Sequence, residues 1–124
     1  MPWAETLERF ISRVEANDHV GAIEEFYTEN VSMQENQQPP RRGRASLMER
    51  EAEVLARARR VRSHCVRPVF VAGDRVVVRW VFEFEWKSGK SMRMDELAYQ
   101  RWEGDRIAEE QFFYDPAQFR PLAR

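Results

Sequence analysis

An α+β fold is predicted by three features of this sequence. Amphipathic helical stripes fill its first half, the period of the apolar residues falls to two from about residue 64, and short glycine-bearing turns separate the later stretches. Helices first and an antiparallel meander after give three N-terminal helices packed on a curved, mostly antiparallel sheet. Such a sheet bends into a cone-shaped α+β barrel, and the end the helices leave unfilled is a natural pocket. The organising stretch is 95–116: a strand, a tight turn at Gly104-Asp105, and a strand running into Phe112-Phe113-Tyr114 and closed by Asp115-Pro116.

Leu7, Phe10, Ile11 and Val14 recur at helical spacing and predict a first helix over about 3–16. Asn17-Asp18 breaks it, and Asp18 is placed to cap a second helix carrying Val20, Ile23, Phe26 and Tyr27 and ending near Asn30. Val31 to Glu35 reads as a short strand. Residues 36–44 hold two prolines and a glycine and read as a loop. Ser46 and Glu49 have capping-box spacing and predict a third helix to about Arg62. His64 to Val71 is strand-like, with a turn at Gly73-Asp74. Arg75 to Lys87 is rich in β-branched and aromatic residues, Ser88-Gly89 is a hairpin turn, and Ser91 to Glu103 and Arg106 to Tyr114 complete the meander. The tail, 116–124, is short and basic.

The 124 residues suit one domain, taken as 1–124, and the 43% hydrophobic and 12% aromatic content suits a packed core. A net charge of −1 gives no push toward nucleic acid or an anionic membrane. No apolar run approaches the roughly 20 residues of a spanning helix. The first residues lack the basic-then-apolar pattern of a leader, and the single Cys65 excludes an internal disulfide, so a cytoplasmic protein is expected. No metal-ligand spacing and no glycine-rich phosphate loop is present, and no cofactor is expected. Arg57, Arg59, Arg60, Arg62 and Arg67 cluster after the third helix. They read as a solvated face balanced by Glu49, Glu51 and Glu53, or as a nucleic-acid surface that salt-sensitive retention would reveal.

Three segments resemble the SnoaL-like branch of the nuclear transport factor 2-like superfamily. Met33-Gln34-Glu35-Asn36 followed by Pro39-Pro40-Arg41-Arg42-Gly43 is similar to the strand and loop after its second helix. Asp95-Glu96-Leu97-Ala98-Tyr99-Gln100 and Gly104-Asp105-Arg106-Ile107, ending in Phe113-Tyr114-Asp115-Pro116, are similar to its last hairpin. The resemblance implies a cone-shaped fold, a homodimer through the sheet face and a deep pocket for a small apolar or aromatic molecule. The superfamily holds ketosteroid isomerase, polyketide cyclases, limonene-epoxide hydrolase and scytalone dehydratase, and also members that only bind, so the fold leaves function open.

By that resemblance Glu35 stands where ketosteroid isomerase has its aspartate base, and its other reading is an ion pair within the arginine loop. Phe10 and Ala98 stand where that enzyme has its oxyanion donors. Neither side chain donates, which disfavours that particular chemistry. Arg93 and Asp95 have the look of the hydrolase's set but lie at the start of the wrong strand, with Phe112 at the partner acid's position. On the last strand Ala108, Glu110, Phe112 and Tyr114 are expected to face the pocket. Glu110 is then a second carboxylate, free to act or paired with Arg79. Glu96, Ala98, Gln100 and Trp102 share the pocket face of the preceding strand, with Arg79, Val81 and Glu83 beside them. Trp80, Phe82, Phe84 and Trp86 are thereby expected outside as a dimer interface, unless a one-residue bulge swaps the faces. The expected site is Glu35 and Glu110 as catalytic groups, with Phe10, Asn36, Arg79, Glu96, Gln100, Phe112 and Tyr114 against the ligand. Isomerisation, cyclisation, dehydration or hydrolysis by proton transfer is the expected chemistry, and non-catalytic binding the alternative. His19 is expected in solvent, and His64 is a candidate proton carrier.

Overall fold

The structure, a computed structural model, describes residues 2–119. Its elements are α1 (Ala4–Glu15), α2 (His19–Phe26), β1 (Tyr27–Glu35), β2 (Arg41–Arg42), α3 (Arg44–Ala56), β3 (Ala58–Ala72), β4 (Arg75–Trp86), β5 (Ser91–Glu103) and β6 (Arg106–Phe113), then a 3₁₀ turn at Pro116–Phe119. The strands form one sheet in the order β2-β1-β6-β5-β4-β3. Only β1 and β6 run parallel; every other pair is antiparallel. The predicted fold class is the observed one. The part of the basic tail beyond Phe119 lies outside the described residues.

The apolar stripe of α1 buries Leu7, Phe10, Ile11 and Val14 against the sheet. Asp18 caps α2 by accepting the Gly21 N–H at 3.0 Å. The helix then stops at Phe26, four residues before the expected end near Asn30. Tyr27 is already extended, at φ −113° and ψ 148°, and pairs with Ile107 of β6. Its carbonyl accepts from Arg44 at 3.2 Å and Arg106 at 3.1 Å, which holds the chain at the point of change. Sheet pairing and these two guanidinium contacts override the helical stripe.

The start of α3 also differs from expectation. It follows Gly43, whose φ of 98° is open to glycine and strained for other residues, and no side chain caps it, so the Ser46–Glu49 box does not form. The helix ends at Ala56. Residues 58–62, expected as helix, are strand, with Ala58 opposite Trp86 and Val61 opposite Phe84. Without them the far half of the twelve-residue β4 would lack a partner on that side. Arg59, Arg60 and Arg62 therefore sit exposed on an edge strand, where cationic side chains deter edge-to-edge pairing.

The largest correction concerns the faces of β4. Trp80 lies opposite Glu96, Phe82 opposite Met94 and Phe84 opposite Met92. The aromatic row thus points to the same side as Glu96, Ala98, Gln100 and Trp102, toward the helices, and is not an outer interface. The cause is the hairpin loop. The Gly89 N–H donates to the Trp86 carbonyl at 2.9 Å and the Trp86 N–H to the Lys90 carbonyl at 2.8 Å, which encloses Lys87, Ser88 and Gly89. Gly89, at φ 95°, takes the left-handed position that a three-residue loop requires. A two-residue turn would have given the opposite parity.

Candidate functional site

One end of the cone is filled by Val76, Val78, Trp102 and Ile107, all almost fully buried. Phe10 packs above them, its ring 5.8 Å from Trp102, 6.2 Å from Trp80 and 5.6 Å from Phe26. Beyond Phe10 the cone opens into a cavity of about 800 Å³. The aromatic row of β4 forms one wall. Trp80 and Phe82 stack at 5.6 Å, and Phe84 and Trp86 at 4.8 Å. A smaller recess of about 170 Å³ adjoins it and shares Met33 and Glu35 as lining.

Four carboxyl groups line the main cavity. Glu110 projects from β6 and is wholly buried. One of its oxygens accepts the Tyr27 hydroxyl, and the other accepts the Gln100 amide at 2.7 Å. Gln100 is oriented in turn by the Trp102 indole N–H, which donates to its carbonyl oxygen at 2.9 Å. Burial raises the Glu110 pKa while the two hydrogen bonds pull it down, and the balance is about 7. Tyr27 is pushed up, first by burial and then by the Glu110 charge, and keeps its proton.

Glu96, on β5, is only 7% exposed. Among the described residues its carboxyl has no hydrogen-bond partner. Burial first, then the charges of Glu110 and Glu35, raise its pKa well above the carboxylate range. Glu35 stands at the end of β1 and is half-buried. Its carboxylate accepts the Tyr114 hydroxyl at 2.6 Å and the Arg41 guanidinium at 2.8 Å. Glu51, on α3, lies 3.1 Å from Nδ1 of His19, whose Nε2 is 2.7 Å from the Ser63 hydroxyl. Among the described residues no group of three or more His, Cys, Asp or Glu side chains is arranged to hold a metal ion. No helix among them is long and apolar enough to cross a membrane.

The family model for the SnoaL-like domain matches residues 7–110. The chain belongs to the SnoaL-like family. Solved structures of the same fold include a protein from Mesorhizobium loti named as a SnoaL-like polyketide cyclase, 21% identical, covering 90% of this chain and 97% of that one at a TM-score of 0.74. A protein of ketosteroid isomerase-like fold from Catenulispora acidiphila, in complex with trimethylamine, is 16% identical over 93% and 88% of the two chains, at 0.75. TerC, co-crystallized with polyporic acid, is 17% identical over 93% and 92%, also at 0.75. No curated protein matches the sequence.

Of the residues expected at the site of this SnoaL-like chain, Phe10, Glu35, Glu96, Glu110 and Phe112 line the cavity. Tyr114 lines the smaller recess. Gln100 lies behind Glu110 and reaches the cavity only through it. Asn36 is turned away. Its backbone N–H donates to the Phe112 carbonyl at 2.7 Å and its side-chain oxygen accepts the Tyr114 N–H at 3.0 Å, so it ties β1 to β6. Arg79 is a correction: it stands on the outer face and holds Asp95 through two bonds, at 3.0 and 2.7 Å, and does not meet Glu110. The histidines exchange places. His19 is buried on the cavity wall, because Glu51 and Ser63 satisfy both its nitrogens, while His64 is exposed. Tyr27 went unnoticed because it continued the α2 stripe. The β-branched Thr28 and Val31 just after it were the available sign of a strand. Cys65 is buried, and burial pushes its thiol up, as suits a packing residue.

Proposed function

We propose that the protein binds an apolar, ring-bearing small molecule in its cone and moves a proton on it without a cofactor, with Glu110 as general base and Tyr27 as the hydrogen-bond donor beside it. The observation that carries this is the Glu110–Tyr27 pair on the cavity wall, where a carboxyl with a pKa of about 7 is half-ionised near neutrality. In an enolisable carbonyl compound, the carboxylate of Glu110 takes the proton as the C–H bond breaks, and the electron pair moves to the carbonyl oxygen. Protonated Glu110 can then donate to Tyr27. That frees the tyrosine hydrogen to turn toward the cavity and meet the new enolate oxygen. Reprotonation at another carbon isomerises the compound, and attack of the enolate on a second carbonyl closes a ring. Glu35, engaged by Arg41 and Tyr114, is assigned to ligand positioning at the wall between the two recesses. The likeness to a protein named for polyketide cyclisation and to one crystallised with polyporic acid points the same way.

The test is hydrogen–deuterium exchange at the α-carbon of 2-tetralone, followed by NMR. The wild type is expected to exceed buffer, E110Q to lose about 10²-fold or more, and Y27F to lose about 10²-fold. Equal exchange by wild type and E110Q would overturn the base assignment. Tetralone that binds without exchange would leave the chain as a ligand-binding module.

We also propose that two copies pair through the outer face of the sheet. Leu97, Tyr99 and Phe113 are exposed there, and Leu97 faces Phe113 across β5 and β6. Sedimentation of the wild type is expected to give a dimer and of L97D a monomer. A monomeric wild type would remove the proposal.

A further inference from the structure

The mechanism above leaves Glu96 unused. It is a carboxyl more than nine-tenths buried, directed at open space and hydrogen-bonded by nothing among the described residues. Its oxygens open on the cavity, and a carboxylate in so confined a place is costly to ionise without a positive partner. Its surroundings narrow the choice of that partner. Beside it on the neighbouring strand stands the row Trp80, Phe82, Phe84 and Trp86, with Trp80 its direct cross-strand partner, and aromatic rings carry negative potential over their faces. The other acids of the cavity already have donors: Glu35 has Arg41 and Tyr114, Glu51 has His19, and Glu110 has Tyr27 and Gln100. Among the described residues, arginine and lysine side chains reach the lining only at Arg57 and Lys87, both exposed. The interior thus offers acceptors and aromatic rings, and Glu96 lacks a counter-charge.

We propose that the cone recognises ligands bearing an ammonium group on an apolar body, with Glu96 as the counter-ion and the aromatic row of β4 as the surface on which the cation rests. An ammonium moved into a low-dielectric cavity must find a negative partner, and aromatic faces add to the attraction once water is excluded. Binding draws the proton from Glu96, so affinity rises with pH as the cavity acids ionise. The groups that bear on this titration are Glu110 of β6 with Tyr114 just beyond it, Glu35 with Arg41 from the β1–β2 side, Glu51 with His19 from the helices, and Asp95 beside it on β5. The inference rests on the cavity being a ligand site and adds the charge of the ligand.

The experiment compares two probes of one shape, 2-naphthylmethylammonium and 2-naphthylmethanol, by quenching of tryptophan fluorescence. The expected result is at least about tenfold tighter binding of the cation, increasing with pH, and loss of that preference in E96Q. Circular dichroism matching the wild type shows that E96Q is folded. Equal or tighter binding of the alcohol by the wild type overturns the inference and leaves the cavity reading standing. A preference that survives in E96Q overturns the role of Glu96. Binding of neither probe overturns both the inference and the cavity as a site for ring-bearing ligands.

Discussion

Truncation of Phe10 to alanine is expected to destabilise the fold by about 3–5 kcal/mol, the usual cost of removing a fully buried phenylalanine. The ring is 1% exposed. It touches helix, strand and cavity together, with Phe26, Tyr27, Trp80 and Trp102 all within aromatic contact distance. Each edge-on contact adds roughly 0.5–1.5 kcal/mol beyond burial. None of the four partners can collapse into the gap easily, because Trp102 is held by Gln100 and Tyr27 by Glu110. Urea unfolding at fixed pH measures the loss. A cost below about 1 kcal/mol would mean that the cavity floor reorganises freely.

Stability is expected to fall as pH rises above about 4.5, and Glu110 is one of two buried carboxyl groups that cause it. Its folded pKa of about 7 lies above the ordinary 4.5. Below about 4.5 both folded and unfolded chains carry the proton, and Glu110 contributes no penalty. Between the two values only the folded chain holds it, so deprotonation progressively favours the unfolded state. Above about 7 the full penalty is present. At about 1.4 kcal/mol per pKa unit it amounts to roughly 3 kcal/mol. E110Q should lack the Glu110 share of this slope and so lose less stability than the wild type over the same range. Its amide can accept from Gln100 and donate to the Tyr27 oxygen, which copies the protonated acid. Glu96 is raised in the same direction, chiefly by burial, and its own share of the fall remains in E110Q. Unfolding free energies of wild type and E110Q at pH 5 and pH 8 decide the matter, and parallel changes in the two proteins would refute it.

Much of this fold was legible because its strands announce themselves. The period-two runs of β4, β5 and β6 were bounded by Gly73, Gly89 and Gly104, and the observed strands follow those bounds closely. The stripe of α1 was equally plain. Errors arose where a residue fitted two patterns and a distant partner chose between them. Tyr27 fitted a helix until Ile107 and Arg106 are considered, and Ala58 to Arg62 fitted a helix until β4 needed a neighbour. The candidate site shows the same division. Alternation grouped Glu110 with Phe112 on β6 and set Glu96 on one face of β5, and the family resemblance chose the side; all three line the cavity. Arg79 was misassigned because its side depended on how β4 meets β5, a relation between strands that neither strand's alternation contains. His19 sits in a helix connection, where exposure is the ordinary expectation. Its burial follows from Ser63, forty-four residues away along the chain.

The loop at Lys87, Ser88 and Gly89 has a hereditary consequence. Lys87 and Ser88 are exposed at the rim of the cavity, and a change in either leaves the turn's backbone hydrogen bonds in place. The number of codons is not free. One lost or gained would set the turn's hydrogen bonds against the burial of four aromatic rings, and no single point change elsewhere on β4 could reconcile them. Among descendants of this chain, that segment should therefore vary in letters and hold constant in count.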